Sequence, residues 1–256
     1  MAISIKSDAE IDIMRQAADI LIKTHELIAK QIKVGITTKE LDKIAEDYII
    51  SQGATPSFKG YQGYPASICA SINEEVVHGI PSSRKLQRGD LLSVDIGVYY
   101  EGYHSDAARS YGVGEISDEM QRLIDVTKQS FYEGLKFAKA GNHLSDVSSA
   151  IQAYIEDNGF AVVRDLVGHG IGKDLHEEPQ IPNYKTPGRG PKLCKGMVLA
   201  IEPMVNAGTW QVSVLGDDWT VVTRDGMPSA HYENTIVITD DEPEVLTVAK
   251  VDTEVN

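Results

Sequence analysis

Residues 33–53, KVGITTKELDKIAEDYIISQG, align without a gap with residues 139–159, KAGNHLSDVSSAIQAYIEDNG. Lys33, Gly35, Tyr48, Ile49 and Gly53 meet Lys139, Gly141, Tyr154, Ile155 and Gly159. One such window is weak, because helix–turn–helix segments share a periodicity. A second window lies at nearly the same offset: KLQRGDLLSVDIG (85–97) matches KLCKGMVLAIEPM (192–204) and sets Asp95 opposite Glu202. Further along, His104-Ser105-Asp106 resembles His231-Tyr232-Glu233. A chain that repeats itself in this way must bury one copy against the other. The expected fold class is therefore α+β, with internally duplicated helix-helix-strand-strand halves (about 7–112 and 113–240). They surround a central antiparallel sheet with pseudo-two-fold symmetry, in one domain spanning 1–256 with a short tail, 241–256.

Local signals place the elements. Ser7 with Glu10 and Thr37 with Glu40 are capping-box patterns, in which each side chain satisfies a backbone amide of the other. They predict a helix carrying the stripe Ile11, Met14, Ala18, Leu21 and Ile22, and a second helix that stops near Gly53. Ser117 opens a third, running towards Lys139, and a fourth spans about Ser145 to Gly159.

The strands raise a chemical question. LLSVDIGVYYEGYHSD (91–106) is built for an interior yet carries Asp95 and Asp106. A buried carboxylate persists only where something compensates its charge. With the turn near Tyr100, Glu101 and Gly102, the two acids are expected close to opposite one another, within about 5 Å at Cβ. The second half sets Glu202 in VLAIEPMV and Glu233 in AHYENTIVIT. Any one of these acids alone reads as an edge residue or an arginine partner. Four at duplicated positions converge on the symmetry axis, and only cations can hold such a cluster. A nitrogen donor is at hand in AVVRDLVGHGIG, where Gly168 and Gly170 flank His169 and permit close backbone approach. Four carboxylates and one imidazole suit two adjacent divalent ions, of Mn, Fe(II) or Co(II), with Zn admissible. The chemistry expected of such a pair is hydrolysis, with a water losing its proton between the ions while a carbonyl is polarised.

Composition removes whole classes of function. The formal charge of -14 opposes DNA or anionic-membrane binding, which need basic patches. No apolar run reaches the roughly 20 residues of a membrane span, and MAISIKSDAEIDIMRQ lacks a signal-peptide pattern. Cys69 and Cys194 stand far apart in no CxxC pair. They are expected as reduced thiols of a cytoplasmic protein, although one disulfide is open to them.

VDIGVYYEGYHSDAAR, GHGIG, HEEP, IEPMV and HYENTIVIT together closely resemble the motifs of type I methionine aminopeptidases, a family with the pita-bread (creatinase-like) fold. The resemblance runs over nearly the whole chain. It implies an enzyme that hydrolyses an initiator methionine from new polypeptides when the second residue is small. Two divalent metal ions (Co, Mn, Fe or Zn) would be held by Asp95, Asp106, His169, Glu202 and Glu233. In that implied arrangement Asp106 and Glu233 bridge the ions, Asp95 serves one, and His169 and Glu202 serve the other. It implies catalytic roles for His78, His176 and Glu202, with both histidines near the scissile amide. It assigns the methionine pocket to Tyr61, Tyr64, Cys69 and Trp219. Leu175 stands where many bacterial relatives have phenylalanine, and Phe58 where many have cysteine, which reshapes the pocket wall. The partners implied are peptide or protein N-termini beginning with methionine, for a monomeric enzyme. By the same resemblance, bacterial members act on chains leaving the ribosome, some through a lysine-rich loop. The corresponding segment here, 207–230, has no lysine and only Arg224, against Asp217, Asp218 and Asp225. Phosphate contacts need cations, so any transient ribosome association is expected through another surface, for instance Arg84, Lys85 and Arg88.

Two other readings compete. Xaa-Pro aminopeptidases and prolidases share the motifs but are expected to carry a preceding domain, and type II methionine aminopeptidases a large insertion. A metal-free peptide-binding module of the same fold should have lost ligands, and none is missing.

Overall fold

Each of the first three helices begins where a short polar side chain takes over an unpaired backbone amide. The structure, a computed structural model, describes residues 2–248; the end of the expected tail, 249–256, lies outside the described residues. Helix α1 (Asp8–Gln31) and helix α2 (Thr38–Ser51) open on the expected capping boxes, Ser7 with Glu10 and Thr37 with Glu40. Helix α3 (Asp118–Leu135) is capped by Ser117, whose Oγ accepts from the amide of Met120 at 3.2 Å. It stops short of Lys139, because a run of tight turns over 134–139 replaces it. Helix α4 (Leu144–Asp157) starts one residue earlier than expected, with the His143 amide donating to the Asp146 carboxylate.

The duplication extends to single hydrogen bonds. Gly35 donates to the Leu86 carbonyl and Gly141 to that of Leu193; Ala54 donates to Ile49 and Phe160 to Ile155. Isolated bridges join Thr37 to Lys85 and His143 to Lys192. Gly35 and Gly141 share a left-handed backbone, with φ of 92° and 98°, which only glycine adopts without strain. That requirement is why both survive in the repeat.

Every strand pairing among the described residues is antiparallel. In the first half the long hairpin Leu91–Tyr100 and Tyr103–Gly112 pairs with Ile68–Ile72 and packs under α1. In the second, a five-stranded sheet runs Glu244–Val245, Asn234–Val237, Val198–Ile201, Gly168–Gly170 and Glu177–Ile181. The two sheets meet, but not through a continuous ladder. The Asp106 amide donates to Thr235 Oγ1 at 3.0 Å and Thr235 Oγ1 to the Asp106 carbonyl at 2.9 Å. Ser110 does the same for His231, at 3.0 and 2.9 Å. Hydroxyls therefore stand in for backbone partners along the seam. Residues 244–245 also correct the expected tail from 241: they form the sheet edge, held by an ion pair of Glu244 with Arg15.

Each half has its own apolar core, and a third cluster lies between them. It includes Ile11, Met14, Phe58, Tyr64, Cys69, Ile171 and Leu175. This third cluster floors the site.

Candidate metal centre

The hairpin turn sets the first two acids. Glu101 and Gly102 both have positive φ, 46° and 91°, the type I′ geometry that joins strands through two residues. Tyr100 then pairs with Tyr103, which puts Asp95 opposite Ala108 and Asp106 opposite Gly97. The two acids are diagonal neighbours on one face rather than an opposed pair, a correction to the expected register. Gly97 is open for a reason: a Cβ there would sit 2.7 Å from Phe58 and Ser57. His169 is pressed between strands. A side chain at Gly168 would strike the Ala200 carbonyl, and one at Gly170 that of Glu178, so the two glycines let it approach Glu202.

The four acids and His169 line one cavity of about 190 Å³, together with His78, His176, Phe58, Tyr61, Tyr64, Cys69, Leu175 and Trp219. All thirteen site residues expected from sequence thus face the same space. Ligand atoms of Asp106, His169 and Glu233 lie within 4.8 Å of one another, and so do those of Glu202, Glu233 and His231. Asp95 Oδ1, Asp106 Oδ1 and Glu233 Oε1 are buried with no hydrogen-bond partner. Three orphaned carboxylate oxygens in one buried cluster would cost several kcal/mol as bare anions. The donor set therefore fits divalent cations, which satisfy all of them at once.

Burial pushes Asp95 up to about 7, and burial with neighbouring carboxylates raises Asp106 and Glu233 well above the usual range. Burial raises Glu202 likewise. The histidines move the other way: burial takes His78 and His231 down to about 4, His169 to about 3, and lowers His176. All four imidazoles are neutral at pH 7 and keep a lone pair to offer.

These shifts act on stability with opposite signs. The acids bind protons in the folded chain that the unfolded chain releases near 3.8 to 4.5. That contribution is full below those values and is lost as pH rises through the raised ones. The histidines stay neutral when folded, so their contribution is full above 6.5 and is lost as pH falls towards their folded values. Above about pH 6.5 the histidine contribution is nearly complete, while the raised acids go on losing theirs. Metal-free protein should therefore lose on the order of 5 °C in Tm between about pH 6.5 and about pH 8.5, while Mn(II)-loaded protein holds. Parallel melting curves read this directly; a chelated protein that gained stability over that range would contradict the cluster's charge.

The apolar end is built beside the acids. Cys69 pairs with Asp95 across the strands, so pocket wall and carboxylate cluster meet at one register position. Tyr64 donates to the carbonyls of Ile68 and Gly79, at 3.1 and 3.0 Å, and stands edge-on to Trp219 at 5.0 Å between centroids. Trp219 is held there by Asp217, whose carboxylate accepts from the Trp219 and Thr220 amides at 3.0 and 2.8 Å. Tyr61 Oη bonds His176 Nδ1 at 2.7 Å, and the His176 ring lies edge-on to His169 at 4.2 Å. His78 sits in the left-handed region, φ 61°, because Gly79 is pinned against Ala70 and Ser71. A strained non-glycine residue of this kind persists where the surroundings overdetermine it. Cys69 and Cys194 are both free thiols, the first buried and the second exposed.

Sequence reasoning missed two residues. Arg109 donates to the carbonyls of Ala108, Glu233 and Thr247 and to Asn234 Oδ1, and so ties Glu233 to the first hairpin. His231 Nε2 lies 3.7 Å from Glu202 Oε2. The available signal was spacing, since His231 lies two residues before the expected ligand Glu233.

The sequence model of metallopeptidase family M24 matches residues 12–240. The methionine aminopeptidase of Clostridium perfringens is 56% identical over 248 residues, covering 97% of this chain and all of that one. Methionine aminopeptidase 1 of Bacillus subtilis is 57% identical over 242 residues, covering 94% and 98%. The crystal structure of methionine aminopeptidase from Thermotoga maritima superposes with a TM-score of 0.95 at 45% identity, covering 97% and 100%. With the pita-bread halves, the acid cluster and its flanking histidines already in place, these matches settle its kinship: the chain belongs to metallopeptidase family M24, among the type I methionine aminopeptidases.

Proposed function

We propose that this enzyme hydrolyses the peptide bond after an N-terminal methionine, with two divalent ions held by Asp95, Asp106, His169, Glu202 and Glu233. The observation that carries the reading is the junction, in one cavity, of unpartnered carboxylate oxygens with an apolar wall. The acids attract an α-ammonium, and Phe58, Tyr64, Cys69, Leu175 and Trp219 offer an apolar recess for one unbranched side chain. The chemistry supplied by bound divalent ions is Lewis acidity, which lowers the pKa of a water and polarises the scissile carbonyl. Glu202 takes the water's proton at Oε1 and passes it to the departing amine. His176 and His78, neutral by burial, donate N–H groups to the scissile amide and to the oxyanion that forms there. We place the working domain at 1–256, its halves at 7–112 and 113–240. In the segment 207–230, Asp217 and Asp225 are engaged in its own turns, so any contact with ribosomal RNA falls to other surfaces.

Met-Xaa peptides graded by the size of the second residue test this reading. Met-Ala should be cleaved well and Met-Trp poorly, with Ala-Pro untouched; equal turnover of Met-Ala and Met-Trp, or a preference for Ala-Pro, would sink it. The pocket wall gives a finer expectation. Leu175 is 2% exposed among Phe58, Tyr64 and Cys69. Leu175→Phe should shift preference among methionine, norleucine and leucine by about 1–3 kcal/mol. The rate on methionine should change less. A collapse in rate with preference unchanged would remove Leu175 from the wall.

A further inference from the structure

We infer that Lys6 is a positioning residue for His176: its buried ion pair with Glu177 fixes the loop that carries the imidazole to the scissile amide. The inference rests on the catalytic role proposed for His176 and adds what holds that ring in place.

Lys6 lies ahead of helix α1 and reaches into the second half of the molecule. Its amide donates to the Gly196 carbonyl at 2.8 Å, and a Cβ at Gly196 would sit 2.7 Å from the Lys6 carbonyl. The side chain then passes over Gly172, where a Cβ would lie 2.6 Å from Glu177 Oε1 and closer still to the lysine stem. Gly172 therefore leaves the space in which the pair forms. Lys6 Nζ donates to Glu177 Oε2, its one side-chain partner among the described residues. The lysine side chain is 3% exposed, whereas every other paired lysine among the described residues is at least 37% exposed.

A buried pair adds little net stability, because desolvation offsets the attraction. What this one fixes is a conformation, that of the loop 171–176 between the strands Gly168–Gly170 and Glu177–Ile181. The near end of the loop is tied by backbone bonds, Ile171 donating to the Val198 carbonyl at 3.1 Å and His104 to that of Gly172 at 2.8 Å. Among the described residues no backbone bond engages Leu175 or His176. Glu177 closes that far end: Oε2 accepts from the lysine, and Oε1 accepts from the Asp174 amide at 3.4 Å. His176, the next residue back from Glu177, then meets Tyr61 Oη at 2.7 Å. Lys6 itself does not line the cavity, so it acts only through the loop.

A double-mutant cycle on full-length Mn(II)-loaded protein, with a Met-Ala peptide, tests this. Lys6→Met should lower kcat about 10- to 100-fold, the scale of a displaced catalytic group, with KM within about 2-fold and the bound metal retained. Lys6→Arg, which keeps the charge, should recover most of the rate. In a His176→Ala background Lys6→Met should cost less than about 2-fold more, since the group it positions is gone. Additive losses, an unchanged kcat in Lys6→Met, or the loss of bound metal would overturn the inference. Should Lys6→Met not fold, Glu177→Gln reads the same cycle from the other partner. Ring-nitrogen NMR of Zn(II)-loaded protein carrying nitrogen-15 histidine places the imidazole without turnover. The His176 signals, assigned by their loss in His176→Ala, should shift in Lys6→Met and return in Lys6→Arg. A parent that releases no methionine while its variants show that shift would defeat the proposed activity and leave the positioning role standing. Turnover by the parent with no shift in the variants would do the reverse.

Discussion

Asp106→Ala should bind at most one divalent ion and lose methionine release by at least the roughly 10²–10³-fold that a single lost electrostatic donor costs. Asp106 is 4% exposed, its Oδ1 is unpartnered, and burial, with its neighbours Asp95 and Glu202, already raises its pKa. Removing it leaves Asp95 and Glu233 without the carboxylate that joins them through a cation. The metal-free protein supplies a second and opposite readout. Without ions the cluster is a set of repelling buried acids, so deleting one member relieves the fold. Asp106→Asn, which keeps the shape and sheds the charge, should therefore melt higher than the parent when both are chelated at about pH 8. With saturating Mn(II) the order should reverse. Calorimetric titration, peptide turnover and paired melting curves check all three. An Asp106→Ala protein with two ions and the parental rate would show that Asp106 is not a ligand.

How far the sequence exposes this site depends on whether each signal is local. The capping boxes at Ser7 and Thr37 involve residues three apart, and the helices start where those patterns put them. The four acids stand out because duplication repeats their positions, which no single strand would have shown. Gly168 and Gly170 mark a close approach, and the strands from Val198 and Glu177 do press against them. The register of Asp95 and Asp106 was less legible. The turn is two residues long, but glutamate at the first left-handed position lacks the usual Asn-Gly or Asp-Gly signal. A shift of two residues in pairing turns an opposed pair into a diagonal one. His231 and Arg109 were hidden for a different reason. Each looks like an ordinary strand residue, and each acquires its role only across the seam, where Ser110 and Thr235 hydroxyls replace ladder bonds. Seams between halves are set by tertiary contacts, and sequence periodicity is blind to them.

His176→Ala should keep both ions and lose about 10²-fold or more in kcat, the usual cost of one transition-state hydrogen bond. His176 Nδ1 is engaged by Tyr61 and the ring is placed at the scissile amide rather than on the ions, so its removal should leave the metal affinity close to the parent's. What it contributes is a proton in the right place. Burial lowers its pKa, so near pH 7 the ring is neutral and carries a single N–H. Tyr61 Oη lies 2.7 Å from Nδ1, and this bond couples to the tautomer: when the hydroxyl donates, the ring proton resides on Nε2 and can be given to a developing oxyanion. Tyr61→Phe removes this bond but not the ring, so it should cost less than His176→Ala and chiefly in kcat rather than KM. His176→Gln retains an N–H donor and should recover part of the rate. Metal content, kcat and KM for the three variants separate these effects. Loss of an ion in His176→Ala would move the residue into the metal centre, and an unchanged kcat would remove it from catalysis altogether.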